Sequence, residues 1–198
     1  MPQEIDILVS EVGPRDGLQS IKRIMATQDK LDWIKALAAS GIQEIEVGSF
    51  VSPRLLPQMA DCAKLVSETN KIDNLMVLAL VPNLKGAELA VAAGARKLTI
   101  PPSASHAHSI KNIGKTPAEA IEEVHLICKF RDNLPVKQRP NIEVGISTAF
   151  GCTQNARLYL AETTRLFTQL WASLQSGEAD GGVVRHMSLG ISLNYLAQ

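Results

Sequence analysis

Near its start the chain reads Glu11-Val12-Gly13-Pro14-Arg15-Asp16-Gly17-Leu18-Gln19, which sets the polar side chains Glu11, Arg15, Asp16 and Gln19 around a Pro-Gly segment. Arg15 offers a fixed cation for a carboxylate or for the oxygen of a developing enolate. Asp16 offers a hard oxygen of the kind that Mg2+ or Mn2+ takes as a ligand. On spacing alone the two also read as a surface ion pair in a turn. A second group lies in Glu44-Ile45-Glu46-Val47-Gly48-Ser49-Phe50, where strand alternation puts Glu44 and Glu46 on one face and Ile45 and Val47 on the other. A carboxylate aimed into a closed interior must be paired or metal-linked, so one of Glu44 and Glu46, near the strand end, is a functional candidate. The alternative for both is a solvated pair on an edge strand.

Ser103-Ala104-Ser105-His106-Ala107-His108 invites a metal reading, because His-x-His on an extended segment presents both imidazoles together. With no third ligand nearby, the two histidines are expected to be solvent-facing hydrogen bonders in a Ser-rich loop. His125 and His186 have no recognisable partners. Cys152, in Phe150-Gly151-Cys152-Thr153, is a candidate nucleophile without an assignable activator. Cys62 and Cys128 read as small buried hydrophobes; three widely spaced cysteines without a C-x-x-C pair indicate neither a disulfide framework nor a zinc site.

The elements that must position these residues alternate. A β-branched run, Ile5, Ile7, Val9 and Val12, reads as a strand that a loop at residues 13–17 ends. Thr27 is a plausible N-cap for a helix with Leu31, Ile34, Leu37 and Ala38 on one face, and Gly41 stands at its end. A strand over 42–47, a helix bearing Met59, Cys62, Leu65 and Val66, a strand over 75–81, and an Ala-rich helix over 84–93 closed by Gly94 follow. A strand begins at Lys97. Thr116-Pro117-Ala118-Glu119 has the form of a capping box with Pro at the first helical position, leading into Ile121, Val124, Ile127 and Cys128. A fifth strand over 141–147 and a helix over 160–170 complete the pattern; beyond Trp171 no sixth strand–loop–helix unit is visible, only a short mixed apolar run over 183–198.

Five strand–helix units with near-continuous apolar strands mean a parallel sheet covered by helices: an α/β fold, either doubly wound or part of a barrel. They occupy about 170 residues, whereas a complete (β/α)8 barrel takes about 250. If the sheet is a barrel, residues 1–170 are part of one, and 171–198 form a divergent tail. The 198 residues carry 20 Lys+Arg against 20 Asp+Glu, a formal charge of zero. That balance removes the electrostatic footprint of nonspecific nucleic-acid or anionic-membrane binding. Neither a leader-like start nor an apolar run of membrane length is present, so a cytoplasmic location is expected.

The opening nine-residue motif resembles that of 3-hydroxy-3-methylglutaryl-CoA lyases. So does Glu46-Val47-Gly48-Ser49-Phe50-Val51-Ser52-Pro53-Arg54, followed by Pro57-Gln58-Met59. Val81-Pro82-Asn83-Leu84-Lys85-Gly86, Ser103-Ala104-Ser105, Asn112-Ile113 and Phe150-Gly151-Cys152 come in the order of that family. The Arg-Asp-Gly-x-Gln core is shared with isopropylmalate and homocitrate synthases. The resemblance implies the N-terminal five strand–helix units of a TIM (β/α)8 barrel. The reaction it implies is divalent-metal-dependent cleavage of an acyl-CoA substrate to acetyl-CoA and acetoacetate. It further implies Asp16 as a ligand of Mg2+ or Mn2+, Arg15 as the group stabilising the enolate, and Glu46 as an active-site carboxylate. Gln19 and Ser49 join Arg15 in substrate binding, and a homo-oligomer is implied for the complete protein.

Against that pattern, the family's later His-x-His pair, Asn, acidic residue and Gly-rich Cys loop cannot be placed in this sequence. His106 and His108 follow the fourth strand and are not that pair, nor is Cys152 that cysteine. The isolated chain is therefore expected to lack lyase activity and to be poorly stable. The alternatives are a non-catalytic half-barrel partner of a full-length lyase and a related acyl-CoA lyase or aldolase.

Overall fold

The computed structural model describes residues 8–149, 160–175 and 185–189. They fall into two compact units, one within Met1–Val81 and Gly86–Leu98, the other within Pro82–Lys85 and Thr99–Gln198.

In the first unit β1 (Ser10–Glu11), β2 (Glu44–Ser49) and β3 (Met76–Leu80) are parallel, with β2 between the other two. The expected first strand is reduced to two residues among those described, with Leu8 and Val9 exposed ahead of it. The expected loop after it is a five-residue π-helical turn, Gly13–Gly17, with Pro14 buried. α1 (Thr27–Ala39) buries Leu31 and Ile34, and Gly41 beyond its end takes φ +98, a left-handed conformation open to glycine. Its N-cap is Ala26 rather than Thr27; the extended backbone belongs to Ala26, and no side chain caps the helix.

α2 (Cys62–Thr69) lays Cys62, Leu65 and Val66 against β2, whose six residues are all buried. Each apolar side chain of this size contributes about 1.5–3 kcal/mol when removed from water. A register shift between Glu46 and Gly48 marks a β-bulge, and a Cβ on Gly48 would lie 2.6 Å from Cys62 Sγ. Glycine is required there because helix and strand approach too closely for any side chain. α3 (Leu84–Ala92) and β4 (Lys97–Ile100) follow as the sequence pattern predicts.

In the second unit α4 (His106–Ile113) replaces the expected loop. Ser105 caps it by accepting the His108 N–H, and Gly114 closes it at φ +68. The capping box of α5 (Pro117–Asp132) is formed in both directions: Thr116 N donates to Glu119 Oε2 at 2.7 Å and Glu119 N to Thr116 Oγ1 at 3.2 Å. β5 (Asn141–Ile146) alternates cleanly, with Ile142, Val144 and Ile146 buried. α6 (Leu160–Gln175) packs on α5 and runs five residues past the end expected for it.

β6 (Arg185–Leu189) pairs parallel with β5, from Ile142 opposite Arg185 to Ile146 opposite Leu189. It is a strand within the segment where the sequence shows no sixth strand–loop–helix unit. Arg-His-Met-Ser-Leu has no β-branched residue and no clean alternation, so its strand form comes from pairing rather than propensity. Among the described residues, no helix is long and apolar enough to cross a membrane.

Candidate functional site

The π-helical turn after β1 gathers the first group of candidate residues. Its geometry begins with Glu11, whose Oε1 accepts the Gly13 N–H at 2.6 Å; Arg15 N and Asp16 N then both donate to Val12 O, at 3.0 and 2.7 Å. A Cβ on Gly13 would meet Glu11 Oε1 at 2.8 Å and the Trp33 ring at 3.2 Å, so any side chain there would displace the Glu11 carboxylate and press on α1. This tight turn aims Arg15. Its Nε donates to Glu46 Oε2 at 2.5 Å and its Nη1 to Asp16 Oδ1 at 2.8 Å. Gln19 Nε2 donates to the same Asp16 oxygen at 2.9 Å.

The side chains of Glu46, Arg15 and Asp16 are 2%, 14% and 56% exposed, so the guanidinium spans from a buried carboxylate to an open one. Four of the predicted residues, Arg15, Asp16, Gln19 and Glu46, are thus brought into one cluster. Ser49 is buried at the end of β2, where its Oγ accepts the Val51 N–H at 3.3 Å.

Glu44, the other member of the pair, is buried rather than solvated. Both of its oxygens accept from Lys97 Nζ, at 3.0 and 3.1 Å, with both side chains 6% exposed. Glu44 and Lys97 open their strands, at the end opposite the one where parallel α/β proteins bind ligands, so this pair is part of the scaffold. A similar ion pair forms where Lys30 Nζ donates to Gln58 O at 2.5 Å and to Asp61 Oδ1 at 2.7 Å. Neither lysine belongs to a motif that marks it in the sequence. What signals them is position: Lys30 is four residues from buried Ile34 on one helical face, and Lys97 begins an otherwise apolar strand.

Cys62 is buried, and that burial, with the charges of Asp61 and Glu46, pushes its thiol far above the usual range. It is a packing residue and not a nucleophile, as expected.

In the second unit His106 is exposed, as expected, but His108 is not a solvent-facing loop residue. It is half-buried on α4 with Nδ1 3.0 Å from Ser103 Oγ. Burial, and then the charge of Lys111, lower its pKa from the ordinary value. His125 is exposed on α5, and Cys152 lies outside the described residues.

Among the described residues, no group of three His, Cys, Asp or Glu could hold a metal ion. Asp16 brings one hard oxygen where a divalent ion takes about six ligands, so these residues do not by themselves make a resident metal site.

Comparison with known proteins agrees with this arrangement. The mitochondrial hydroxymethylglutaryl-CoA lyase of Macaca fascicularis is 37% identical over 172 residues, covering 84% of this chain and 50% of the relative. Hydroxymethylglutaryl-CoA lyase YngG of Bacillus subtilis (strain 168) is 33% identical over 171 residues, covering 86% and 56%. The crystal structure of Bacillus subtilis HMG-CoA lyase superposes with a TM-score of 0.82 at 30% identity, over 96% of this chain and 59% of that one. An HMG-CoA lyase from Acinetobacter baumannii, in complex with coenzyme A and 3-methylmalate, gives a TM-score of 0.77 at 31% identity, over 84% and 53%. The chain spans about half the length of the curated relatives it matches. The expected fold class, strand–helix units of an incomplete TIM (β/α)8 barrel, is borne out. The HMGL-like family matches residues 6–172, and the chain belongs to that family.

Proposed function

We propose that this chain carries the enolate-holding part of a carbon–carbon lyase that cleaves 3-hydroxy-3-methylglutaryl-CoA to acetyl-CoA and acetoacetate. The observation that carries this reading is the Arg15 guanidinium fixed between buried Glu46, midway along β2, and exposed Asp16 in the turn after β1. Breaking the bond between the α-carbon and the hydroxyl-bearing carbon leaves an electron pair that delocalises onto the thioester oxygen. A guanidinium already oriented by two carboxylates meets that charge without reorganising. Glu46, buried and bonded to Nε, is the positioning group; with Asp16 taking one Nη1 N–H, the other N–H donors of Arg15 are left for a ligand.

Gln19, tied to Asp16, and Ser49 are proposed to contact the acyl portion. The coenzyme A held by the Acinetobacter baumannii relative supports a CoA thioester as the ligand class. Mg2+ or Mn2+ would take Asp16 as one oxygen ligand and lower the charge on the thioester oxygen when bound. The roles of Arg15 and Glu46 stand without it, and no more of a coordination shell is found among the described residues.

Calorimetric titration of the full chain with acetyl-CoA, with and without Mn2+, tests this reading. Binding is expected and should weaken about tenfold in Arg15→Gln, the loss of one charge-assisted contact. No acetyl-CoA binding under either condition, or equal affinity in Arg15→Gln, would overturn it.

A further inference from the structure

The segments after β4 and β5 meet in a closed hydrogen-bond chain that the lyase reading does not use. Ser103 bridges to Ser147, with Ala104 N donating to Ser147 O at 3.0 Å and Ser147 N to Pro102 O at 2.8 Å. Thr148 Oγ1 is 2.6 Å from Ser147 O and 2.8 Å from Ser103 Oγ, and it accepts the Ser105 N–H at 3.1 Å. Ser103 Oγ in turn is 3.0 Å from His108 Nδ1. Ser103, Ser105 and Thr148 are all buried.

Ser103 Oγ also lies 3.5 Å from Ser147 O, and placing the Thr148 proton gives the remaining contacts a direction. The 2.6 Å contact sets a hydroxyl against a carbonyl oxygen, which has no hydrogen, so the single proton of Thr148 must lie in it. The contact between Ser103 and Thr148 then needs the proton of Ser103. With both spent, the contact between Ser103 and His108 needs a proton on Nδ1. The opposite assignment would leave two oxygen lone pairs facing each other at 2.6 Å inside the protein.

We propose that His108 is held as the Nδ1–H tautomer and presents Nε2, at the end of the fourth strand, as a proton-accepting site for a ligand that carries a hydroxyl or amine. One ring nitrogen tied to a fixed partner sets the tautomer and leaves the other as the base. Here a buried serine does what a carboxylate does in a catalytic triad. Among the described residues nothing bonds Nε2, and the ring is half exposed while Nδ1 points into buried hydroxyls.

A second observation marks the same place. Thr148 sits at φ +58, a left-handed conformation costly for a β-branched residue, and its hydroxyl bonds, with the bond from Thr163 Oγ1 to the next carbonyl, hold it there. The flanking segments 101–105 and 147–149 carry no titratable side chain. Lys111, on α4 itself, is the charge that acts on the ring, and it further favours the neutral form. The proposal stands on the second unit alone and is independent of the lyase reading.

Two measurements on the full chain test it. Long-range 1H–15N correlation at neutral pH is expected to show Nδ1 of His108 protonated and Nε2 bare, with the preference lost in Ser103→Ala. Diethyl pyrocarbonate, which acylates bare imidazole nitrogen, is expected to modify His108. Measured against N-acetylhistidine in the same tube, its relative rate should rise about threefold or more on going from about pH 7 to about pH 5.5, where an ordinary imidazole is mostly protonated. His108→Asn keeps a donor where Nδ1–H stood, whereas His108→Gln does not. The Asn variant should therefore stay closer to wild type in thermal midpoint, which separates anchoring from base character. A protonated Nε2 in the neutral ring, or a His108 that stays unmodified while N-acetylhistidine reacts, would overturn the proposal.

Discussion

Arg15 in the first unit is held by two carboxylates, whereas His108 in the second is held by a hydroxyl. Both lie just beyond strand ends and both are fixed on one side and open on the other. The first unit manages buried polarity with charge: Arg15 on Glu46, Lys97 on Glu44, Lys30 on Asp61. Around His108 the second unit uses a neutral chain of hydroxyls, amides and one imidazole. A buried ion pair is strong only while both partners remain, because either charge left alone must be desolvated without return. A neutral chain loses less on any single deletion but depends on the protonation state of its one titratable member.

The charged arrangement breaks hardest. Glu44→Ala leaves Lys97 buried without its carboxylate and is expected to cost about 3–5 kcal/mol in denaturant unfolding, while Glu44→Leu combined with Lys97→Met should recover most of that loss. If the single variant costs no more than an exposed substitution, the contrast between the units fails. Next, Gly48→Ala forces a Cβ onto Cys62 Sγ and is expected to cost about 1–3 kcal/mol, with partial relief in the double variant Gly48→Ala, Cys62→Ala. On the neutral side Ser103→Ala should cost about 1 kcal/mol by the same assay, since it removes hydrogen bonds but strands no charge.

The smallest effect is the pH dependence. Burial, then Lys111, lowers the pKa of His108, so the folded chain binds fewer protons than the unfolded one as pH falls past about 6.5. The stability tied to this group is whole above that pH and is lost as pH drops toward the folded value. Because the ring is half exposed, the difference between wild type and His108→Asn should be a few tenths of a kcal/mol on the order of solvent-screened effects. A difference of the opposite sign would contradict the burial of the neutral ring.

What could be read in advance follows from how local each signal is. The capping box at Thr116, the left-handed glycines Gly41 and Gly94, and the alternation of β5 are written in a few adjacent residues, and each is realised in the structure. The cluster of Arg15, Asp16, Gln19 and Glu46 was legible too, because its members sit in two short motifs at strand ends. What escaped depends on residues far apart in the chain. Lys97 finds Glu44 across 53 positions and Thr148 finds Ser103 across 45, and neither residue type announces a partner. β6 escaped because its partner strand, not its own composition, makes it a strand. The bulge at Glu46–Gly48 defeats simple alternation, so counting parity along β2 could not say where Ser49 points.

The indole of Trp33 lies against Gly13, within reach of the turn that carries Arg15. Fluorescence from a half-buried indole shifts in colour and intensity with the atoms around it, and this one is built into the back wall of the Arg15 turn. The chain has two tryptophans, Trp33 and Trp171. A Trp171→Phe variant would therefore leave a single native chromophore, whose emission reads the position of the Arg15 turn without any attached dye.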